Sequence, residues 1–311
     1  MGLRALIRRV SLPPPSVRGE QDLFDDEFQR KLEYLAIVSR RVFAGKMRAE
    51  RRTRKSGSGI EFADHRDYVA GDDFRYLDWN VYQRFGRLLL RLFEEEEDLS
   101  VYIIVDASSS MGFGGNKKIV YAKRLAASLA YIGLANLDRV ALVTTTDRVL
   151  RHMPATRGKQ RIFKVFQFLR ETRADGTTDL GQALRVFVSQ HKRRGLAVLI
   201  SDLYDPAGFE HGINALRYAK FEPFVIHLID HADASPPLRG DVRIYDCETG
   251  EEREVTITTK VLAKYRETHE SYIKDIQAFC TAKQVPYVPG DVKVPFDEMV
   301  LRVLRRGGIV G

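Results

Sequence analysis

Cysteine is nearly absent: Cys247 and Cys280 are the only two in 311 residues. Two thiols at this separation make no disulfide framework and show no metal-ligand spacing. Long apolar runs are missing as well. None approaches the ~18 residues of a membrane-spanning helix, and the strongest, at 101–105, is strand-sized. The first ten residues interleave Arg4, Arg8 and Arg9 with short apolar pieces, so they lack the apolar core of a secretion signal. Leu6 stands where an N-myristoylation signal needs Ser or Thr. The seven histidines show neither H-E-x-x-H nor triad spacing. Gly112-Phe113-Gly114-Gly115-Asn116-Lys117-Lys118 departs from the G-x-x-x-x-G-K-[ST] order of a phosphate loop and reads as a flexible link. These absences direct expectation to a cytoplasmic protein with no membrane span and no catalytic triad.

The composition is that of an ordinary globular chain, 44% apolar and 30% charged, and not of a disordered one. The net charge of +8 is unevenly spread, because residues 1–60 hold 14 Lys/Arg against 7 Asp/Glu. Its focus is Arg40, Arg41, Lys46, Arg48, Arg51, Arg52, Arg54 and Lys55. Such a stretch can bind nucleic acid through counterion release. It has no interleaved aromatics and no nucleic-acid motif, and a solvated helix end and connector is the simpler reading.

Three segments follow from the pattern. Residues 1–20, with Pro13-Pro14-Pro15, form an extended leader. Residues 21–98 form an N-terminal helical segment. There Phe24, Phe28, Leu32, Leu35, Val38 and Val42 make a helical stripe, with acidic residues in the first turn, Arg40 and Arg41 in the last, and Gly45 as the cap. A Ser/Gly connector at 55–59, a stretch without clear period at 60–80, a strand at 88–93 and an acidic bend at 94–98 complete it. From 99 to 311 the chain alternates. Strands are expected at 101–105, 139–144, 196–201 and 224–229, and helices at 117–136, 161–169, 179–191 and 209–220. The fold class is therefore α/β, a mainly parallel doubly wound sheet with helices on both faces. Residues 242–258 flank Glu248-Thr249-Gly250-Glu251 with β-prone pieces and read as a hairpin insertion. A long helix at 261–283, a strand at 285–288 and a helix at 296–305 close the chain.

The residues with chemistry lie at strand ends. Asp106-Ala107-Ser108-Ser109-Ser110 ends one parallel strand, Ser201-Asp202 ends another, and Gly176-Thr177-Thr178-Asp179 opens a helix at the same edge. Open α/β sheets place their ligands there. The hydroxyls of Ser108, Ser110 and one threonine are hard neutral donors, and the carboxylates of Asp106 and Asp202 stand behind them. Such a set suits Mg²⁺ or Mn²⁺. Neutral donors leave the ion electrophilic towards a carboxylate from another molecule, which describes metal-mediated adhesion more readily than catalysis. Helix capping by the same residue types is the plainer alternative. A nucleophilic Ser109 or Ser110 needs a base that the sequence does not nominate.

This constellation resembles the von Willebrand factor A domain and its metal-ion-dependent adhesion site. The resemblance implies Asp106, Ser108, Ser110, Thr178 and Asp202 as the metal residues. Thr178 is preferred to Thr177 because it stands six before Leu184, the family's spacing. Leu203 stands where extracellular members follow the last aspartate with glycine. Upstream, Gly59-Ile60-Glu61-Phe62, Asp64, Arg66-Asp67-Tyr68, the string from Gly71-Asp72-Asp73 to Asp78-Trp79, Arg84, and Leu90-Arg91-Leu92-Phe93-Glu94 resemble the bacterial domain of unknown function 58 family. Tyr245-Asp246 and Glu248-Thr249-Gly250-Glu251 fit it too, and Ala70 replaces a common proline. The resemblance spans roughly residues 20–305. It implies a non-enzymatic interaction protein that acts with a MoxR-type AAA+ ATPase in chaperone-like maturation.

Asp72, Asp73, Arg75, Asp78 and Trp79 read as a polar clasp, with Arg75 bridging carboxylates and a buried Trp79 fastening the N-terminal segment to the sheet. Two rival functions are a metal-dependent hydrolase using Asp106 and Asp202, and nucleic-acid binding through residues 40–55.

Overall fold

The computed structural model describes residues 23–50, 52–56, 61–96, 100–234, 236 and 238–305, of which 40–50, 52–56, 61, 63, 93–96, 232 and 234 as backbone only. The Pro-rich leader at 1–20 and most of the Ser/Gly connector lie outside the described residues, and so do the side chains of the basic stretch at 40–55. The chain divides into two compact units, residues 1–40 with 100–311, and residues 41–99.

The larger unit is built on β4 (Ser100–Asp106), whose seven residues are all buried. Apolar side chains on both faces of a strand require cover on both sides. Strand β7 (Leu196–Ser201) flanks it on one side and β5 (Arg139–Thr145) on the other. Outward from β7 lie β8 (Glu222–Ile229) and β11 (Tyr287–Asp291), and outward from β5 lies β6 (Val149–Thr156). Five strands run parallel, and β6 pairs antiparallel with β5. The expected parallel α/β sheet is thus present, with one antiparallel edge strand that periodicity missed. Side chains along β6 alternate between half-buried and exposed, as an edge strand allows.

Tyr102 and Ile104 of β4 pack against α6 (Leu180–Gln190), α7 (Glu210–Tyr218) and α9 (Thr259–Ala282) through Leu184, Phe187, Ile213, Leu216 and Ile276. The alternate residues Ile103 and Val105 turn the other way and are also fully buried. Helices α4 (Lys117–Ala135), α5 (Ile162–Arg170) and α10 (Phe296–Leu304) pack together, with α4 lying against β4 and β5. Helix α1 (Asp26–Glu50) joins this layer through aromatic contacts: Phe24 stacks on Phe166 at 4.4 Å, and Phe28 lies 4.8 Å from Phe296. The helix continues past Gly45 to Glu50, so the expected glycine cap does not form there. Among the described residues no helix is long and apolar enough to cross a membrane.

The smaller unit differs from expectation. A helical or irregular extension was expected; instead β1 (Arg52–Ser56), β2 (Glu61–Asp67) and β3 (Leu89–Glu96) form an antiparallel sheet in the order β1-β3-β2. The acidic residues 94–96 lie within β3 and do not form a bend. Charged β2 gave no hydrophobic alternation to read, and a register shift between Phe62 and Asp64 breaks its period further. Leu77 and Leu90 are buried and bridge to one another. The clasp residues act locally. Arg66 grips both oxygens of Asp72 at 2.8 Å. Arg75 pairs with Asp73 two residues before it at 2.6 Å. Asp78 caps α2 (Trp79–Phe85) and meets His65 at 3.0 Å. Trp79, expected to be buried, is 55% exposed and stands edge-on to Tyr82.

Candidate metal centre

Chain order fixes where the site forms. From β4 the chain passes to β5 and β6 on one side, then crosses to β7 on the other. The carboxyl ends of β4 and β7 therefore flank the point at which strand order reverses, where open parallel sheets leave a crevice. Asp106 is the last residue of β4, and Asp202 follows the last residue of β7.

Four of the five expected residues form a continuous polar chain. Asp106 accepts the Ser108 N–H at 2.9 Å and the Ser201 hydroxyl at 2.5 Å. Ser108 Oγ lies 3.0 Å from Ser110 Oγ, and the Ser110 hydroxyl donates to Asp202 Oδ1 at 3.1 Å. All four are buried. Burial, and behind it the neighbouring Asp202 charge, pushes the Asp106 carboxyl up to about 7, against the opposing pull of its bonds to Ser201 and Ser108.

Thr178 is held at the same edge by backbone. The Ser109 N–H donates to Gly176 O at 3.0 Å, and the Asp175 N–H donates to Ala107 O at 2.8 Å. Gly176 has φ +89°, a conformation that glycine adopts freely. Thr178 is buried and Thr177 exposed. Its partner is not one of the other four. The Thr178 N–H and hydroxyl both donate to the carboxylate of Glu248, at 3.0 and 2.7 Å. Glu248 lies between β9 (Gly240–Tyr245) and β10 (Glu252–Ile257). Sequence spacing gave no sign of this contact across 70 residues.

Lys118 is a second residue that the sequence reading missed. Its ammonium lies 2.6 Å from Asp202 Oδ2 and 3.2 Å from Asp233 Oδ2 of α8 (His231–Ala234). The segment 112–118, read as a flexible link, contains the end of α3 (Ser109–Gly112) and the start of α4. Asp202 thus gives one oxygen to Ser110 and the other to an ammonium. Leu203 next to it is buried at φ +58°. The loop therefore has the left-handed backbone for which a glycine at this position is suited, and Leu203 keeps it by filling the core.

The side chains brought together are hard oxygen donors, the type that small divalent cations take. Around an ion with oxygens at ~2.0–2.1 Å in octahedral array, adjacent oxygens are about 2.8–3.0 Å apart. The Ser108–Ser110 and Ser110–Asp202 separations are 3.0 and 3.1 Å. Among the described residues no group of three or more His, Cys, Asp or Glu side chains is placed to hold an ion. The candidate relies on hydroxyls and two carboxylates.

Fold and edge together define an α/β protein with a buried polar cluster at the switch point of a mostly parallel sheet. The chain belongs to the family described as "Protein of unknown function DUF58", which matches over residues 64–274. Uncharacterized proteins of Mycobacterium bovis and Mycobacterium tuberculosis are 27% identical over 250 residues, covering 79% of this chain and 78% of theirs. Among solved structures, an aerotolerance-related membrane protein from Bacteroides fragilis is 14% identical and matches with a TM-score of 0.41, over 68% of this chain and all of that one. A conserved hypothetical protein BatB from Bacteroides thetaiotaomicron gives 14% and 0.40, over 67% and 99%.

Proposed function

We propose that this protein is a non-enzymatic interaction protein whose von Willebrand A-like unit binds a partner through a metal-ion-dependent adhesion site. The observation that carries the reading is the Ser108–Ser110–Asp202 oxygen chain at the switch point, with separations of 3.0 and 3.1 Å. Asp106, Ser108, Ser110, Thr178 and Asp202 would hold Mg²⁺ or Mn²⁺. The bound ion supplies an electrophilic coordination position for a partner carboxylate. The chain's own residues do the rest. Ser201 and the Ser108 N–H orient Asp106, Lys118 fixes Asp202, and the backbone bond from Ser109 to Gly176 brings the threonine loop to the edge. The family resemblance points to a MoxR-type AAA+ ATPase as the partner.

Calorimetric titration with MgCl₂ and MnCl₂ tests the site: the wild type binds and Asp106→Ala does not, while the variant keeps its far-UV circular dichroism. Equal binding by the variant removes the site. Pull-down of a MoxR-type AAA+ ATPase, with and without EDTA, tests the partner. Capture indifferent to EDTA and to Thr178→Ala moves the interface elsewhere. Mg²⁺-dependent ester or phosphate hydrolysis lost on changing Asp106 or Asp202 would favour the hydrolase instead.

A further inference from the structure

Between α1, α4 and α5 lies a cleft of about 300 Å³, at the small end of the range for ligand pockets. It shares no residue with the polar cluster at the strand ends. Its floor is apolar, because Leu32, Ile162 and Phe166 line it and are buried. Phe163 stands at the rim with 67% of its surface exposed, edge-on to Phe166 at 6.3 Å. Water on such a floor finds few hydrogen-bond partners, whereas an alkyl chain needs none.

The mouth carries charge. Lys159, in the turn before α5, sets its ammonium 5.3 Å from the centre of the Tyr131 ring. Glu33 of α1 lies 3.5 Å from that ammonium. Both side chains of the pair are exposed, so water screens it and it exchanges readily. The surroundings favour an anion: from Arg157 to Arg170 the chain carries five Lys or Arg and no Asp or Glu. An occupant that suits both floor and mouth is apolar along its length and negative at one end.

We propose that this cleft binds a medium-chain carboxylate. The alkyl chain lies on Leu32, Ile162 and Phe166, and the ligand's carboxylate takes the place of Glu33 beside Lys159. A volume this small takes a single chain, and the bound chain covers Phe163. The inference goes beyond the metal-site reading and does not rest on it.

Calorimetry on the full chain tests this, with sodium octanoate as the probe and octanol as the uncharged control. Octanoate should bind more tightly than octanol. From hexanoate to octanoate the affinity should rise about fourfold for each methylene added. Lys159→Gln should weaken octanoate binding, whereas Glu33→Gln frees the ammonium and should strengthen it about two- to fivefold. Neither variant should change the binding of octanol. Opposite effects of two exposed substitutions cannot come from a damaged fold. Gln29→Trp, at an exposed position of α1 that lines the cleft, should block both ligands. An affinity indifferent to chain length, equal shifts in Lys159→Gln and Glu33→Gln, or unchanged binding by Gln29→Trp overturns the proposal. So does a protein that ignores octanoate yet sediments with phosphatidylglycerol vesicles, since the basic face would then dock on a membrane surface and the cleft would hold no chain.

Discussion

The ammonium of Lys118 is 1% exposed and lies 2.6 Å from Asp202, itself fully buried. Lys118 shares the inward face of α4 with Ala122 and Leu125, one and two turns on. An ion pair that deep is weak evidence of stability, but removing one partner leaves an uncompensated buried charge. Lys118→Met should cost about 3–5 kcal/mol, a fall in Tm of about 6 °C or more for a domain of this size. Under the metal reading a divalent ion then becomes the main compensation for Asp202. Mg²⁺ should therefore raise the Tm of Lys118→Met more than that of the wild type. Thermal melts in EDTA and in MgCl₂ check both statements, and equal Mg²⁺ shifts would separate the ammonium from the ion site.

Leu203 offers an inversion of a usual order. Its φ of +58° is costly for any residue with a Cβ, and its side chain is fully buried among Leu180, Phe209 and their neighbours. Truncation to Ala loses about 2–5 kcal/mol of packing and keeps the strain. Truncation to Gly loses similar packing but relieves about 1 kcal/mol. Leu203→Gly should therefore be the more stable of the two, the reverse of what an α-helix or strand position gives. Urea unfolding of both variants decides it.

The two thiols should differ in reactivity. Cys280 lies on α9 and is buried in the core, and burial pushes its thiol up to about 11. Cys247 is only partly buried. At pH 8 the Cys280 thiolate is scarce and shielded, so a thiol reagent should modify Cys247 alone in the native protein and both residues in denaturant. Two fast-reacting thiols in the native state would contradict the packing of α9.

Regular elements of the α/β unit were legible because their physics is local. The apolar run of β4 and the stripes of α4, α5, α6 and α9 depend on neighbours three, four or two residues away. The D-x-S-x-S turn and Asp202 were legible because a parallel sheet puts its strand ends at one edge. What failed was non-local. Strand β2 is charged and is held by pairing with β3, and edge strand β6 needs cover on one face only. Trp79 was expected inside because it is a large aromatic at the end of a string dense in pairable charges, whereas it is half exposed. Lys118 left a trace in hindsight, since its position extends the apolar stripe of α4 back by one turn. Glu248 left none: the hairpin's register and the turn at Asp246 bring it to Thr178.

Strand β11 carries Pro289 at its centre, and its position has a consequence for assembly. The Val225 N–H donates to Pro286 O, and the Val292 N–H donates to Ile229 O, so even-numbered residues of β11 face β8. Pro289 therefore turns its ring nitrogen outward, where another chain adding to the sheet would need an N–H. Among the described residues β11 ends the sheet on this side, and this edge is chemically blunted at its midpoint. Copies of this chain therefore cannot zip together along β11 into a continuous ribbon.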